Sequence, residues 1–285
     1  MMALERKLLM IVLDGLPWRA ARRLMGNLEG WVDAGEARVW RMRSVLPSTS
    51  GPCYASIHSG VPPQVHGVTS NQTIRRLSLP DVFSVVRDGG GVTGAVTHSD
   101  WSRLFNRDPF DPVRDIEFDD DSLPIQHGRL HTMLGESHDN QMTPSDVDLF
   151  ATLTSLVGRF GLDYGLMHTC TLDSMSHRFG QDCREMDLAC YTVDASLAAF
   201  LPGWRAAGYE VLVCADHGHS DRGHHGGNGA DMRDFPVYYF GDGQGPADDT
   251  LLSQLQLAPT ILARLGLPRP DTMLARPFLT DAEAG

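Results

Sequence analysis

Leu8-Leu9-Met10-Ile11-Val12-Leu13-Asp14-Gly15 and Val211-Leu212-Val213-Cys214-Ala215-Asp216-His217-Gly218 are each a short apolar run that stops at a carboxylate, with a glycine close behind. Apolar runs of this length without polar alternation read as strands buried on both faces, as a parallel sheet requires. The aspartate then stands at the strand's carboxyl edge, where open α/β sheets collect their ligands. On local grounds alone, an aspartate capping the next helix explains Asp14-Gly15 as well.

On either side of these runs, strands are expected at residues 5–13, 37–45, 92–97, 164–169, 210–215 and 236–240. Helices are expected at 18–31, 50–59, 79–87 and 186–206. Strand and helix alternate in the rhythm of an open, mostly parallel sheet with helices on both faces, one domain across residues 1–285. Residues 101–142 break that rhythm. Asp108-Pro109, Asp111-Pro112 and Asp119-Asp120-Asp121 make a polar, aperiodic stretch that reads as an inserted cap or loop, either a solvated excursion or a substrate-facing lid. Trp101, Phe105, Phe110 and Arg107 within it either stack on a substrate or pack the segment down.

Composition narrows the function. The chain is 42% hydrophobic and 21% charged, and no apolar run approaches the roughly 18 residues of a membrane span. The run at 8–13 has no cleavage site behind it, so a cytoplasmic protein is expected. Five scattered cysteines without Cys-x-x-Cys argue against a disulfide framework and against a thiolate zinc site. A net charge of -12 disfavours nucleic-acid polymers as partners, but bound cations can still draw in a small anionic substrate.

Three further groups carry chemistry. Asp173 and His177 are four apart, which puts carboxylate and imidazole on one face of a helical turn, as a metal pair or an ordinary surface pair. Asp216-His217-Gly218-His219 is followed within ten residues by His224-His225-Gly226-Gly227. Carboxylate and imidazole there, with glycines that let backbones approach, suit a hard-to-borderline cation; a solvated histidine-rich loop is the alternative. Ser50, in Pro47-Ser48-Thr49-Ser50-Gly51-Pro52, sits where a loop enters a helix. It is there either as a capping residue or as a hydroxyl that helix amides and a metal could activate.

The order Asp14, Ser50, Asp173/His177, Asp216-His217, His225 resembles the metal-site pattern of the alkaline phosphatase superfamily, and most of all its type I phosphodiesterase/nucleotide pyrophosphatase branch. The branch's Pro-Thr-x-Thr-Phe-Pro-Asn aligns with residues 47–53 and places Ser50 at the nucleophile. Its His-Gly-x-x-x-Asn appears as His66-Gly67-Val68-Thr69-Ser70-Asn71, with Asn71 where the family binds a phosphoryl oxygen. Residues 258–268 look like the superfamily's last helix, so the likeness spans nearly the whole chain.

The resemblance implies an alkaline-phosphatase-like three-layer sandwich and a hydrolase of small phosphoester or phosphonate substrates. It implies two divalent metal ions, zinc by default, with manganese or iron as alternatives. One would take Asp14, Ser50, Asp216 and His217, the other Asp173, His177 and His225, with His224 as the alternative to His225. A phosphoseryl intermediate on Ser50 follows, with diesters ahead of phosphonates and monoesters third, since no arginine lies near Ser50 in sequence to grip a dianion. Departures concern the substrate: serine for threonine, Gly51 for an aromatic residue, and Cys53-Tyr54 for Asn-His. Tyr54 also stands where the sulfatase signature needs arginine, and the chain has no room for the large inserted domain of the cofactor-independent phosphoglycerate mutases. A non-catalytic metal-binding protein is the competing class, and oligomeric state is left open.

Overall fold

The computed structural model describes residues 4–132 and 143–281. One sheet contains β1 (Lys7–Leu13), β2 (Arg38–Arg43), β3 (Thr93–His98), β4 (Glu117–Asp119), β5 (His127–His131), β6 (Tyr164–Thr169), β7 (Tyr209–Cys214), β8 (Asp234–Phe240) and β9 (Leu251–Ser253). Their order across the sheet is β4-β5-β3-β6-β1-β7-β8-β2-β9. β1 runs parallel to β6 and β7, β6 to β3, and β3 to β5, whereas β8 is antiparallel to both its neighbours and β4 to β5.

The helices are α1 (Trp18–Leu24), α2 (Gly26–Asp33), α3 (Ser50–Ser59), α4 (Pro63–His66), α5 (Val82–Asp88), α6 (Ser99–Phe105), α7 (Pro112–Asp115), α8 (Asp146–Phe160), α9 (Thr171–Phe179), α10 (Arg184–Ala206), α11 (Ala230–Arg233) and α12 (Leu257–Arg264). α10 packs with α2, α8 and α9 on one face of the sheet, and α3 with α5, α6 and α12 on the other. The result is the expected α/β sandwich with a mostly parallel central sheet.

β1 is central, and Leu8 through Leu13 are all buried, as a strand covered by helices on both faces demands. The single helix expected over residues 18–31 is two, separated at Met25. The second starts there because a remote group serves its N-terminus: the Asp194 carboxylate on α10 accepts from the backbone N–H groups of Asn27 (2.7 Å) and Leu28 (3.1 Å). The helix expected from residue 79 begins at Val82, because Asp81 caps it by accepting from the Ser84 N–H.

The stretch expected to be an inserted cap has regular structure in its described part. Residues 99–131 form α6, α7 and two strands, and β5 extends the sheet by pairing with β3. Polar composition hid this edge: β5 reads His-Gly-Arg-Leu-His, and Arg129 and His127 pair with Asp119 of β4, charge that suits an edge rather than a core strand. Trp101 and Phe105 are fully buried, so they pack the segment down. Residues 133–142 lie outside the described part of the chain.

Candidate metal centre

The carboxyl ends of the parallel strands deliver the candidate residues to one place. Asp14 follows β1, Asp216 and His217 follow β7, and α9 leaves β6 carrying Asp173 and His177. Ser50 is the first residue of α3. With Asn71, Tyr54, His98, Asp100, Arg103, Cys170 and His225, several of these line a cleft of about 610 Å³.

In the first cluster, His217 Nε2 lies 3.3 Å from Ser50 Oγ, 3.6 Å from Asp14 Oδ1 and 3.2 Å from Asp216 Oδ2. In the second, Asp173 Oδ1 lies 3.5 Å from His177 Nε2 and 3.6 Å from His225 Nε2, and the two imidazole nitrogens are 3.0 Å apart. Ligand atoms about 2.0–2.1 Å from a tetrahedral cation are separated by roughly 3.3 Å, so both spacings fit donors facing a shared point. His224 is exposed and outside the cluster that includes His225.

Unpartnered atoms test the fit more sharply. Asp14 Oδ1, Asp216 Oδ2 and Asp173 Oδ1 are buried without any hydrogen-bond partner. A buried carboxylate oxygen left bare costs on the order of a few kcal/mol, and here the bare oxygens are those that face the histidines. Burial opposes ionisation of Asp14, but the His168 hydrogen bond and the His217 and His168 charges outweigh it and hold that carboxyl well below the usual range. Burial, reinforced by the Asp14 charge, pushes Asp216 well above its usual value. Two such carboxylates sharing one dry site call for a cation. The donor set is carboxylate, imidazole and hydroxyl, which suits zinc, manganese or iron.

The surroundings hold these donors in place. Asp216 Oδ1 accepts from the Gly15 (3.1 Å) and His217 (2.9 Å) N–H groups, which leaves Oδ2 to face inward. Ser48 bridges the nucleophile loop to the His225 loop: its hydroxyl donates to the Gly227 carbonyl (2.9 Å) and accepts from Gly226 N–H (3.1 Å). Asn71 Oδ1 accepts from Gly51 N–H at 2.8 Å, so its amide NH₂ is left to serve the cleft. A side chain at Gly51 would place a Cβ 2.8 Å from Ile74 and 3.2 Å from Asn71 Oδ1, which is why the aromatic residue of the family pattern has no room here. His66 is buried and its Nε2 lies 3.0 Å from Ser56 Oγ, so the His66-Gly67 pair anchors the loop that carries Asn71.

Ser48, Tyr54 and His168 had no role assigned from the sequence, and His219 entered only as part of the Asp216–His219 run. Tyr54 stands one turn beyond Ser50 on α3 and donates to Asp14 Oδ2, which also lies 2.9 Å from His168 Nε2. The i, i+4 spacing from Ser50 was the available signal for Tyr54. His168 inside an apolar strand gave none.

A family model for type I phosphodiesterase / nucleotide pyrophosphatase matches residues 8–232. The chain belongs to that family. Murine ectonucleotide pyrophosphatase/phosphodiesterase 5 is similar in structure, with a TM-score of 0.68 at 11% identity, covering 96% of this chain and 100% of that one. The phosphonate monoester hydrolase of Silicibacter pomeroyi gives 0.63 at 14% identity over 98% of this chain and 78% of that one. Phosphonoacetate hydrolase from Sinorhizobium meliloti 1021, in complex with phosphonoformate, gives 0.51 at 21% identity over 75% of this chain and 57% of that one. No curated protein sequence matches significantly. At these identities the likenesses establish the fold of this phosphodiesterase-family chain, the alkaline-phosphatase architecture. Among its described residues no helix is long and apolar enough to cross a membrane.

Proposed function

We propose that this chain hydrolyses small phosphate diesters or nucleotide pyrophosphates through a phosphoseryl intermediate on Ser50. One divalent cation would be held by Asp14, Ser50, Asp216 and His217, and a second by Asp173, His177 and His225. The observation that carries the reading is the Ser50 hydroxyl 3.3 Å from His217 Nε2, beside carboxylate oxygens that are buried and unpartnered. Bound cations would supply Lewis-acid charge to the phosphoryl oxygens and lower the pKa of the attacking hydroxyl. Ser50 Oγ, its proton given up to solvent, would bond to phosphorus as the leaving group departs, an alkoxide from a diester or a phosphate from a pyrophosphate. Water then displaces Oγ, restoring Ser50 and releasing the phosphate monoester. Asn71 donates from its amide to a non-bridging oxygen.

The lining of the cleft supports the diester reading over the monoester one. Among the described residues lining it, Arg103 is the one arginine or lysine, and it is taken up by Asp108 (2.8 Å), Asp100 (3.2 Å) and the Ile74 carbonyl (3.0 Å). A dianionic terminal phosphate would find no free fork there. A nucleotide ligand has a counterpart in a second structure of the murine relative, inactive and in complex with AMP. Phosphonate hydrolysis is the second reading, supported by the phosphonoformate complex of the Sinorhizobium enzyme. All five cysteines are free thiols, which suits a reducing, cytoplasmic setting.

The test compares bis(p-nitrophenyl) phosphate, p-nitrophenyl phosphate and phosphonoacetate on zinc- or manganese-loaded protein, with Ser50→Ala as control. A diester preference lost by at least about 10³-fold in the variant, with metal content largely retained, supports the reading. Phosphonoacetate turnover promotes the alternative, and full activity in Ser50→Ala removes Ser50 from its role.

A further inference from the structure

We infer that His219 is a fourth protein ligand of the metal site formed by Asp173, His177 and His225, making it a carboxylate-and-three-imidazole site. This rests on reading those three residues as metal ligands, and adds to it a donor that the family pattern does not supply.

His219 is 1% exposed, and its Nε2 is buried with no hydrogen-bond partner. It lies 3.1 Å from Asp173 Oδ1, an atom equally bare. An ordinary His–Asp pair at that separation would form a hydrogen bond and satisfy both. These two atoms approach without bonding, as two ligands do when each is aimed at a third point. The nitrogen falls within 4.8 Å of the ligand atoms of Asp173, His177 and His225.

The far side of the ring agrees. His219 Nδ1 donates to the Gly15 carbonyl at 3.0 Å, which puts the proton on Nδ1 and leaves the lone pair on Nε2. His217 and His225 are arranged alike, with Nδ1 on the Gly218 carbonyl (3.1 Å) and the Ser48 carbonyl (3.2 Å). Metal-ligating histidines are held in this way, with the outer N–H on a backbone carbonyl. In these tautomers His225 Nε2 carries a lone pair 3.0 Å from His177 Nε2, a contact that a shared cation makes favourable. The fit around the ring is also specific: a Cβ at Gly15 would lie 2.4 Å from His219 Cε1, so glycine with φ +72 is what admits the imidazole.

Three imidazoles and one carboxylate complete a tetrahedron and select a transition metal such as zinc or iron over magnesium or calcium. The two sites of the cleft therefore differ. The Ser50 site would count the nucleophile among its donors, while the Asp173 site would have four protein donors.

The experiment is zinc titration of 15N-histidine-labelled whole protein, followed by two-bond 1H–15N spectra, with wild type, His219→Gln, His177→Ala and the exposed control His224→Ala. The His219 signal, assigned by its loss in His219→Gln, should move to the metal-bound range with zinc. Zinc affinity at one site should fall at least about tenfold in His219→Gln and be unchanged in His224→Ala. A His219 resonance that stays a free or fully protonated imidazole in zinc-loaded wild type overturns the inference whether or not the variant folds. If His177→Ala still loses one zinc in that case, the three-residue site stands without His219. If His177→Ala also retains both, the site itself is wrong.

Discussion

His168 Nε2 lies 2.9 Å from Asp14 Oδ2, so a histidine on β6 holds one oxygen of the aspartate that ends the neighbouring strand β1. Tyr54 donates to the same oxygen, and the other, Oδ1, is left bare beside His217. Fixing one oxygen aims the second. Tyr54→Phe keeps the ring stacked on Trp101, 4.6 Å between centroids, and removes only the hydroxyl. It should weaken zinc binding at the Ser50 site by about 10-fold to 100-fold in competition with a chelating dye. Equal affinities would mean that Asp14 is oriented without it.

Asn71 and Gly51 should act together. Asn71→Ala should lower kcat/KM for a diester by about 10²-fold, the usual size for losing one donor to a phosphoryl or oxyanion oxygen. Gly51→Ala puts a Cβ 2.8 Å from buried Ile74 and 3.2 Å from Asn71 Oδ1, so it should produce part of that loss together with a lowered unfolding midpoint. Steady-state kinetics beside thermal unfolding separate the two variants.

Acid should weaken the fold through His58. It is fully buried, its Nε2 meets Tyr164 Oη at 2.7 Å, and its Nδ1 has no partner. Burial pushes its pKa down from 6.5 to about 3. The unfolded chain therefore binds the proton more readily, and the stability present above the unfolded pKa is lost as pH falls through that window. In metal-free protein, His58→Gln should flatten the dependence of unfolding free energy on pH between those values by about 1 kcal/mol per unit. An unchanged slope in urea titrations would assign the acid sensitivity to other groups.

Arg264 is the buried cation of α12. Its Nε donates to Glu210 on β7 at 2.8 Å, and its guanidinium also reaches Asp242 and, at 2.7 Å, Asp281. Arg264→Leu strands Glu210 in the core and should cost about 3 kcal/mol of stability by urea unfolding, with the metal centre unaffected. A loss below about 1 kcal/mol would show that water replaces the guanidinium.

The β1 and β7 strands, the helix at Ser50–Ser59 and the candidates Asp14, Ser50, Asn71, Asp173, His177 and His225 that line the cleft were legible from the amino-acid order alone. Those signals are local: an apolar run stopping at Asp14 or Asp216, and an i, i+4 pair at Asp173 and His177, report their geometry through backbone period alone. Other features depend on partners remote in the chain. Asp194 starts α2 from another helix, β5 joins the sheet despite a polar sequence, and His168 reaches Asp14 only because β6 pairs with β1. Likewise His219 and His225 follow the same strand end, yet their nitrogens converge on Asp173 because Gly15 leaves room for one ring and the Ser48 carbonyl holds the other. Spacing in the chain nominates candidate donors, while the His219 and His225 rings are oriented by Nδ1 bonds to the Gly15 and Ser48 carbonyls, which lie elsewhere in the fold.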